Sequence, residues 1–301
     1  MKKLLLKLAL FSVLMVVADI LCGFAFYHLR GHAKGGSTAN CEYIANKSID
    51  DIVILGSSRA THHYIPQIIE DSLGVTCYNC GEEGNGIVLA YGRYKQLISR
   101  YKPKLIIYEV TPSYDYLDVE PNNRYLRYLR PYYDQEGVSE LIDDFGGELI
   151  SIKMLSRMYQ NTSRLLPNII DNIIYRDNRK GFSPLYGTFK PLANQTEIEE
   201  NHPIDQKKLN YLEQLIIETQ AEHVPLWFIV SPCYEDNSDI SVYQPATSLC
   251  EKYNVPFLLF KDLEGIFDNP AFFQDRVHMN IDGAERYTSF ICSLIKEFMK
   301  Q

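Results

Sequence analysis

Asp51-Ile-Val-Ile-Leu-Gly-Ser-Ser-Arg-Ala60 is a short apolar run that ends abruptly in small and polar residues. The part from Ile52 to Leu55 is typical of a buried β-strand, because it is short, mostly β-branched and bounded by Asp51 and Gly56. Two serines follow without a linker. This pattern predicts a hydroxyl at the carboxyl end of a parallel strand, which is where open α/β sheets bind their ligands.

Four further apolar runs alternate with amphipathic segments along the rest of the chain. We expect the five strands at 51–56, 75–79, 104–110, 226–230 and 256–260. Helices are predicted at 66–73, 87–101, 205–222, 242–253 and 282–300. Because strands that alternate with helices form parallel sheets covered on both faces, the predicted fold class is α/β. The expected architecture is a flavodoxin-like three-layer α/β/α sandwich with a five-stranded parallel sheet.

Residues of about 112–204 interrupt this alternation. They include Tyr-rich and Arg-rich segments followed by helical stretches near 138–176. We therefore predict a helical insertion after strand three, beside the ligand-binding edge of the sheet.

The amino terminus carries one long apolar stretch, from about Leu4 to Tyr27. Its length suits a single membrane span of roughly 20 residues. No small-residue cleavage pattern follows the stretch, which favours a retained anchor over a cleaved signal peptide. Asp19 lies inside the stretch; such a residue is costly in lipid, and it marks either a partner for the helix or a position near the membrane surface.

These features predict the domain organisation. Residues 1–30 form a membrane anchor or uncleaved signal, and 31–48, rich in Gly, Ser, Ala and Asn, form a linker. Residues 49–301 form the main domain with its insertion. Lysines at the amino end bias that end to the cytoplasm, so we expect a single-pass protein with its main domain periplasmic or extracytoplasmic.

Composition excludes several classes of protein. The formal net charge of −8 disfavours a nucleic-acid binder, which normally has a basic face. The seven cysteines are scattered and form neither a disulfide framework nor a zinc set. His62-His63 is a weak metal signal, since no carboxylate stands at a matching spacing.

Three short motifs are expected to meet at the carboxyl edge of the sheet. Gly56-Ser57-Ser58 ends strand one, and Asn79 and Gly84 form an Asn-x-x-x-x-Gly pattern after strand two. Asp275-Arg-Val-His278 precedes the last helix. A serine hydroxyl becomes a useful nucleophile only when a neutral imidazole takes its proton, and a carboxylate beside the imidazole fixes its tautomer.

With these motifs the chain resembles the SGNH/GDSL hydrolase family over roughly residues 50–300. The resemblance implies that Ser58 is the nucleophile, His278 the general base and Asp275 the residue that orients it. It also implies that the backbone N–H groups of Ser58 and Gly84 form part of an oxyanion hole. It implies no metal or organic cofactor.

One block departs from the family pattern. The family has Gly-x-Asn-Asp after strand three, and the Asn side chain is an oxyanion donor; this chain has Thr111-Pro-Ser-Tyr114. Ser113 falls at the Asn position and offers a shorter donor. Arg59 and Tyr114 are further candidates for substrate binding.

The resemblance predicts a serine esterase that removes acyl groups, above all O-acetyl groups, from envelope or extracellular glycans or small esters. Two alternatives stay open: an O-acyltransferase acting on a polysaccharide through the same residues, and a catalytically weak domain that binds glycans or serves assembly. The expected partners are an acylated carbohydrate or small ester and the membrane, but no nucleic acid.

Overall fold

A computed structural model describes residues 1–119, 122–190, 202–234, 240–260, 263–266 and 268–300, with 122–124 described by backbone only. The strands are β1 (Ile52–Gly56), β2 (Cys77–Asn79), β3 (Leu105–Glu109), β4 (Leu226–Val230) and β5 (Phe257–Leu259). The helices are α1 (Lys2–Gly31), α2 (Gly36–Asn46), α3 (Ser58–His63), α4 (Pro66–Leu73), α5 (Ile87–Ile98), α6 (Pro112–Asp115), α7 (Val138–Phe145), α8 (Ile150–Lys153), α9 (Arg157–Thr162), α10 (Leu165–Ile173), α11 (Gln206–Ala221), α12 (Gln244–Tyr253) and α13 (Ile281–Phe298).

The five strands form one parallel sheet of order β2-β1-β3-β4-β5. β1, β3 and β4 are buried at every residue, as continuous apolar strands of a parallel sheet must be. The register sets Gly56 opposite Glu109, so that the carboxyl ends of β1 and β3 lie side by side. The predicted α/β fold with a five-stranded parallel sheet and helices on both faces is confirmed.

One face of the sheet packs mainly against the last helix. Residues of alternating position, such as Ile52 and Ile54, join Tyr287, Ile291 and Ile295 of α13 in one buried cluster. This packing returns the carboxyl-terminal part of the chain to the strand that precedes Ser58.

The chain divides into two compact units. The α/β unit comprises Ser48–Pro121 and Arg179–Gln301, and the helical unit comprises Met1–Lys47 and Asn122–Asn178. The inserted segment is thus shorter than the predicted 112–204. It pairs with the amino-terminal helix, a long-range pairing for which the sequence carries no local signal.

The predicted linker at 31–48 is wrong for most of its length, because Gly36–Asn46 forms helix α2. Cys41, Ile44 and Ala45 are buried, at the i, i+3, i+4 spacing of one helix face. The small polar residues around them suggested a linker from composition alone.

Helix α1 is long and apolar enough to cross a membrane. Its most apolar window has a mean hydropathy of 2.4, and none of that window is buried inside the protein. Composition and length allow an anchor or a signal sequence equally.

Candidate active site

Gly56 and the start of α3 place the first functional side chain. Gly56 has a φ of 138°, a conformation that side chains rarely adopt, and a Cβ there would lie 2.6 Å from the Glu109 carbonyl oxygen. The chain turns sharply at this point, and the short helix α3, which was not predicted, begins at Ser58, ahead of the predicted helix at Pro66–Leu73. The Ser58 side chain is therefore half-buried on the first turn of a helix.

The loop before α13 presents the second group. The Asp275 carboxylate oxygen Oδ1 accepts the backbone N–H groups of Val277 and His278, each at 2.8 Å. The His278 carbonyl accepts the Gln274 N–H at 2.9 Å. Asn280 caps α13 through the Gly283 N–H at 3.1 Å. This short closed loop fixes the His278 backbone.

The structure brings Ser58, His278 and Asp275 together. The Ser58 Oγ lies 2.7 Å from Nε2 of His278. The other ring nitrogen, Nδ1, lies 2.9 Å from the Asp275 Oδ2. A carboxylate can only accept, so Nδ1 carries the proton and Nε2 is left to accept from the Ser58 hydroxyl.

Hydrogen bonding keeps Asp275 ionised. Partial burial alone would raise the pKa of its carboxyl, but the His278 side chain and the two backbone N–H groups lower that pKa to about 2. The Asp275 carboxyl is thus ionised throughout the neutral pH range.

A buried network lies behind these groups. The fully buried Glu109 carboxylate accepts from the Ser231 N–H at 3.0 Å, the Ser231 hydroxyl at 2.7 Å and the Tyr64 hydroxyl at 2.5 Å. Burial raises the pKa of Glu109, and the Arg59 charge, with Nε 3.2 Å away, opposes that rise. The network fixes the carboxyl ends of β3 and β4.

His63 extends this network to the residue after His278. The Met279 N–H donates to His63 Nε2 at 2.9 Å, so the proton of the ring is on Nδ1, which lies 2.7 Å from the Ser231 Oγ. Burial, together with the charges of His278 and Arg59, lowers the pKa of His63 well below its usual value. His63 is therefore a neutral positioning residue with both nitrogens in use.

His62 faces the site itself. Its ring meets that of His278 edge-to-face at 5.4 Å. Nδ1 lies 2.6 Å from the Ser183 carbonyl oxygen, and Nε2 lies 3.2 Å from a Glu83 carboxylate oxygen. That contact lowers the pKa of Glu83. Sequence reasoning missed this His62–Glu83 pair because it considered the two histidines only as metal ligands.

The glycine-rich loop after β2 is held next to β1. Its Glu82 N–H donates to the Gly56 carbonyl at 3.1 Å, and the Asn79 side chain donates to the Ala60 carbonyl at 2.6 Å. Arg93 of α5 donates to the Cys80 carbonyl at 2.6 Å. Gly84 has a φ of 64° in this loop.

The loop after β3 carries Ser113 and Tyr114, both half-buried, on the short helix α6. Asp115 anchors this loop by accepting the Thr111 N–H at 2.6 Å and the Tyr108 hydroxyl at 2.7 Å. It also accepts the Ile87 N–H at the start of α5. Asp115 thus joins the loops after β2 and β3.

Arg59 does not lie where substrate binding would require. It is 3% exposed, and its guanidinium donates to the Val110 carbonyl and lies 3.3 Å from the Cys233 Sγ. The prediction that Arg59 contacts the substrate is therefore corrected. Because α3 begins at Ser58, the side chain of Arg59 points into the protein core.

The pKa of Asp115 leads to a prediction about stability. Burial raises that pKa from 3.8 to about 7, so the folded state holds a proton that the unfolded state releases between about pH 4 and pH 7. Stability therefore falls as the pH rises through this window. The full effect is on the order of 4 kcal/mol, and Asp115→Asn should remove it.

Urea unfolding between pH 4 and pH 7.5 measures the slope of the free energy of unfolding against pH. Asp118→Asn, at an exposed carboxyl nearby, is the control and should keep the wild-type slope. Asp275 does not interfere, because the stability from its lowered pKa is present above pH 3.8 and is lost only towards pH 2. Equal slopes for Asp115→Asn and wild type would contradict the assignment.

Comparison with known proteins finds structural similarity at low sequence identity. No protein-family model and no curated protein matches it. A protein assigned to the G-D-S-L lipolytic family from Desulfitobacterium hafniense is 9% identical, with a TM-score of 0.41, over 81% of this chain and 99% of that one. A catalytic mutant of an acetylxylan esterase from Geobacillus stearothermophilus is 11% identical, with a TM-score of 0.40, over 82% and 93%. A protein assigned as a platelet activating factor from Streptococcus pneumonia is 10% identical, with a TM-score of 0.44, over 94% and 97%.

Proposed function

We propose that this chain is a serine esterase of the SGNH type, with Ser58 as nucleophile, His278 as general base and Asp275 as the residue that orients it. The observation that carries the proposal is the unbroken contact from Ser58 Oγ through the His278 ring to Asp275, at 2.7 and 2.9 Å. Nucleophile, base and orienting carboxylate at hydrogen-bond distance are the arrangement that acyl transfer requires.

The reaction follows from this geometry. Ser58 Oγ attacks the ester carbonyl carbon while its proton passes to Nε2 of His278. The tetrahedral intermediate collapses, the alcohol leaves with that proton, and the acyl group remains on Ser58. A water molecule, deprotonated by the same nitrogen, then attacks the acyl-enzyme. This second intermediate collapses, the bond from the acyl carbon to Ser58 Oγ breaks, and the proton on Nε2 returns to Ser58 as the acid leaves.

The developing oxyanion requires donors on the same edge of the sheet. The Ser58 N–H, on the first turn of α3, and the Gly84 N–H are assigned this role, with the Ser113 hydroxyl in place of the family's Asn. Loss of one such donor typically costs about 3–4 kcal/mol of transition-state stabilisation. Ser113 is expected to contribute less than an Asn side chain, because it is shorter.

The substrate class proposed is an acyl ester, above all an O-acetyl ester, on a glycan outside the cytoplasmic membrane. Support for that location comes from the long apolar helix α1 with lysines at its start. Purified full-length protein in detergent should hydrolyse p-nitrophenyl acetate and then release acetate from an O-acetylated oligosaccharide.

The same assay separates hydrolysis from transfer. If an added sugar hydroxyl replaces water in the second step, acetylated oligosaccharide accumulates and free acetate falls. Absence of both products would contradict the enzyme proposal and leave the binding role.

A further inference from the structure

Helix α10 of the helical unit has an inverted distribution of polarity. Its apolar residues Leu166, Ile169 and Ile173 are 65%, 40% and 72% exposed, at the spacing of one helix face. Its polar residues Asn168 and Asp171 are 1% and 2% exposed. A helix beside water normally has the opposite arrangement.

The buried polar face of α10 has specific partners at the start of α2. Asp171 accepts the Thr38 N–H at 2.9 Å, and Asn168 accepts the Thr38 hydroxyl at 3.1 Å. Arg164 donates to the Ser37 hydroxyl at 2.7 Å. These bonds fix the helix with its apolar face outward, so the inversion is built into the fold.

The segment before α10 also carries exposed apolar side chains. Leu149, Ile152 and Leu155 are 64%, 62% and 78% exposed, and Tyr175 beyond α10 is 73% exposed. We define the apolar face as Leu149, Ile152, Leu155, Leu166, Ile169 and Ile173. A monomer in water rarely leaves this many large apolar side chains uncovered within one short segment.

Asp19 of α1 fixes the position of the amino end of α9 along the axis of α1. Its carboxylate accepts the Ser156 hydroxyl at 2.5 Å and the N–H groups of Arg157 and Met158 at 2.7 and 2.9 Å. It therefore caps the amino end of α9, and the backbone there needs no water.

The depth of Asp19 in the bilayer then determines whether the apolar face is surrounded by lipid or by water. Asp19 lies roughly 22 Å beyond Leu4 along the helix axis, at 1.5 Å per residue. A bilayer core is about 30 Å thick. If the core begins near Leu4, Ser156 and its neighbours lie within the outer part of the core. The carbonyl of Leu29, which accepts the Asn172 side chain at 2.8 Å, lies roughly 38 Å from Leu4 on the same scale and sets the end of α10 at the outer surface of the bilayer.

We propose that the apolar face is embedded in the outer leaflet of the bilayer that α1 spans, so that the protein contacts lipid with α1 and with the α8–α10 segment. The occupant of the face is lipid acyl chain rather than a second protein. α1 is then a retained part of the helical unit, because cleavage would remove Asp19 from α9 and Arg30 from Asn161, whose side-chain bond is 2.6 Å.

Tryptophan depth measurements on the full chain test this proposal. The sole Trp227 is 6% exposed, so the parent protein gives a constant background to subtract. Ile152→Trp and Leu166→Trp are introduced separately, and both positions have room because they are exposed. Each protein is reconstituted in phosphatidylcholine vesicles with or without bromine on the acyl chains.

Ile152→Trp should lose most of its added fluorescence to the brominated chains. Leu166→Trp, nearer the membrane surface, should lose a smaller share, and both should be protected from iodide in the water. Phe24→Trp on α1 is the positive control, and Glu285→Trp, at an exposed polar position of α13, should respond to iodide only. Quenching of the Ile152→Trp or Leu166→Trp fluorescence by iodide would overturn the proposal. Protection from both quenchers together with a dimeric mass would overturn it as well, because a second copy would then cover the face.

Discussion

Ser58→Ala should lower kcat for p-nitrophenyl acetate by at least about 10³-fold, since removing the nucleophile of such a set leaves only the contribution of the oxyanion donors and of binding. The Ser58 hydroxyl is the donor at 2.7 Å from His278 Nε2, and an alanine offers no atom to acylate. KM should change little, because a small ester makes few contacts with one hydroxyl. Steady-state kinetics of the purified full chain measures both values.

The neighbouring serine is the matched control. Ser57 Oγ is buried and lacks a hydrogen-bond partner among the described residues. Ser57→Ala removes this unsatisfied group at the same turn and should leave kcat within about 3-fold, since replacing an unpaired buried hydroxyl costs little. Equal activity of Ser58→Ala and Ser57→Ala would exclude Ser58 as nucleophile.

Asp275→Asn should lower kcat by about 10²–10⁴-fold in a chain that still folds. The Asn carbonyl oxygen can keep the bonds that Oδ1 accepts from the Val277 and His278 N–H groups. Its amide group then faces Nδ1 of His278 and donates to it. The ring proton moves to Nε2, which can no longer take the proton of Ser58.

The control and the readout separate this tautomer effect from a loss of structure. Asp282→Asn removes an exposed carboxyl at the start of α13 and should keep wild-type kcat. The urea midpoint of Asp275→Asn at pH 7 should fall modestly, because the stability from the lowered pKa of Asp275 is lost, while its circular dichroism spectrum should match that of wild type. An unchanged kcat for Asp275→Asn would show that His278 does not need this carboxylate.

Local patterns in the sequence predict the sheet well. Ile52–Gly56 and Leu226–Val230 are apolar at nearly every position, and a central parallel strand has two buried faces that require this. The predicted strand bounds therefore differ from the observed ones by at most two residues.

The meeting of Ser58 with His278 was expected from the place of Ser58 at a strand end, its need for a base and the family motifs, since no local pattern joins residues that are 220 positions apart. The network beneath them was not anticipated. Glu109 ends an apolar strand, and a charged residue at such a position is a signal that a buried partner must exist. Nothing in the sequence shows that the partner is Arg59, since that depends on α3 beginning at Ser58.

The helical unit shows a second limit of sequence reasoning. Asp19 was recognised as costly in an apolar helix, but its donors lie 137 to 139 positions away. Only the folded chain brings the amino end of α9 to that carboxylate. The α2 helix was missed because its small residues resemble those of a linker, while its buried partners are distant in sequence.

Covalent labelling tests the nucleophile most directly. A fluorophosphonate reacts with a serine only when an adjacent base activates the hydroxyl, and peptide mass spectrometry locates the adduct. The proposed site predicts one adduct, on Ser58, formed by the wild-type chain and lost in His278→Ala. An adduct at another serine, or an unlabelled wild-type chain that is fully folded, would contradict it.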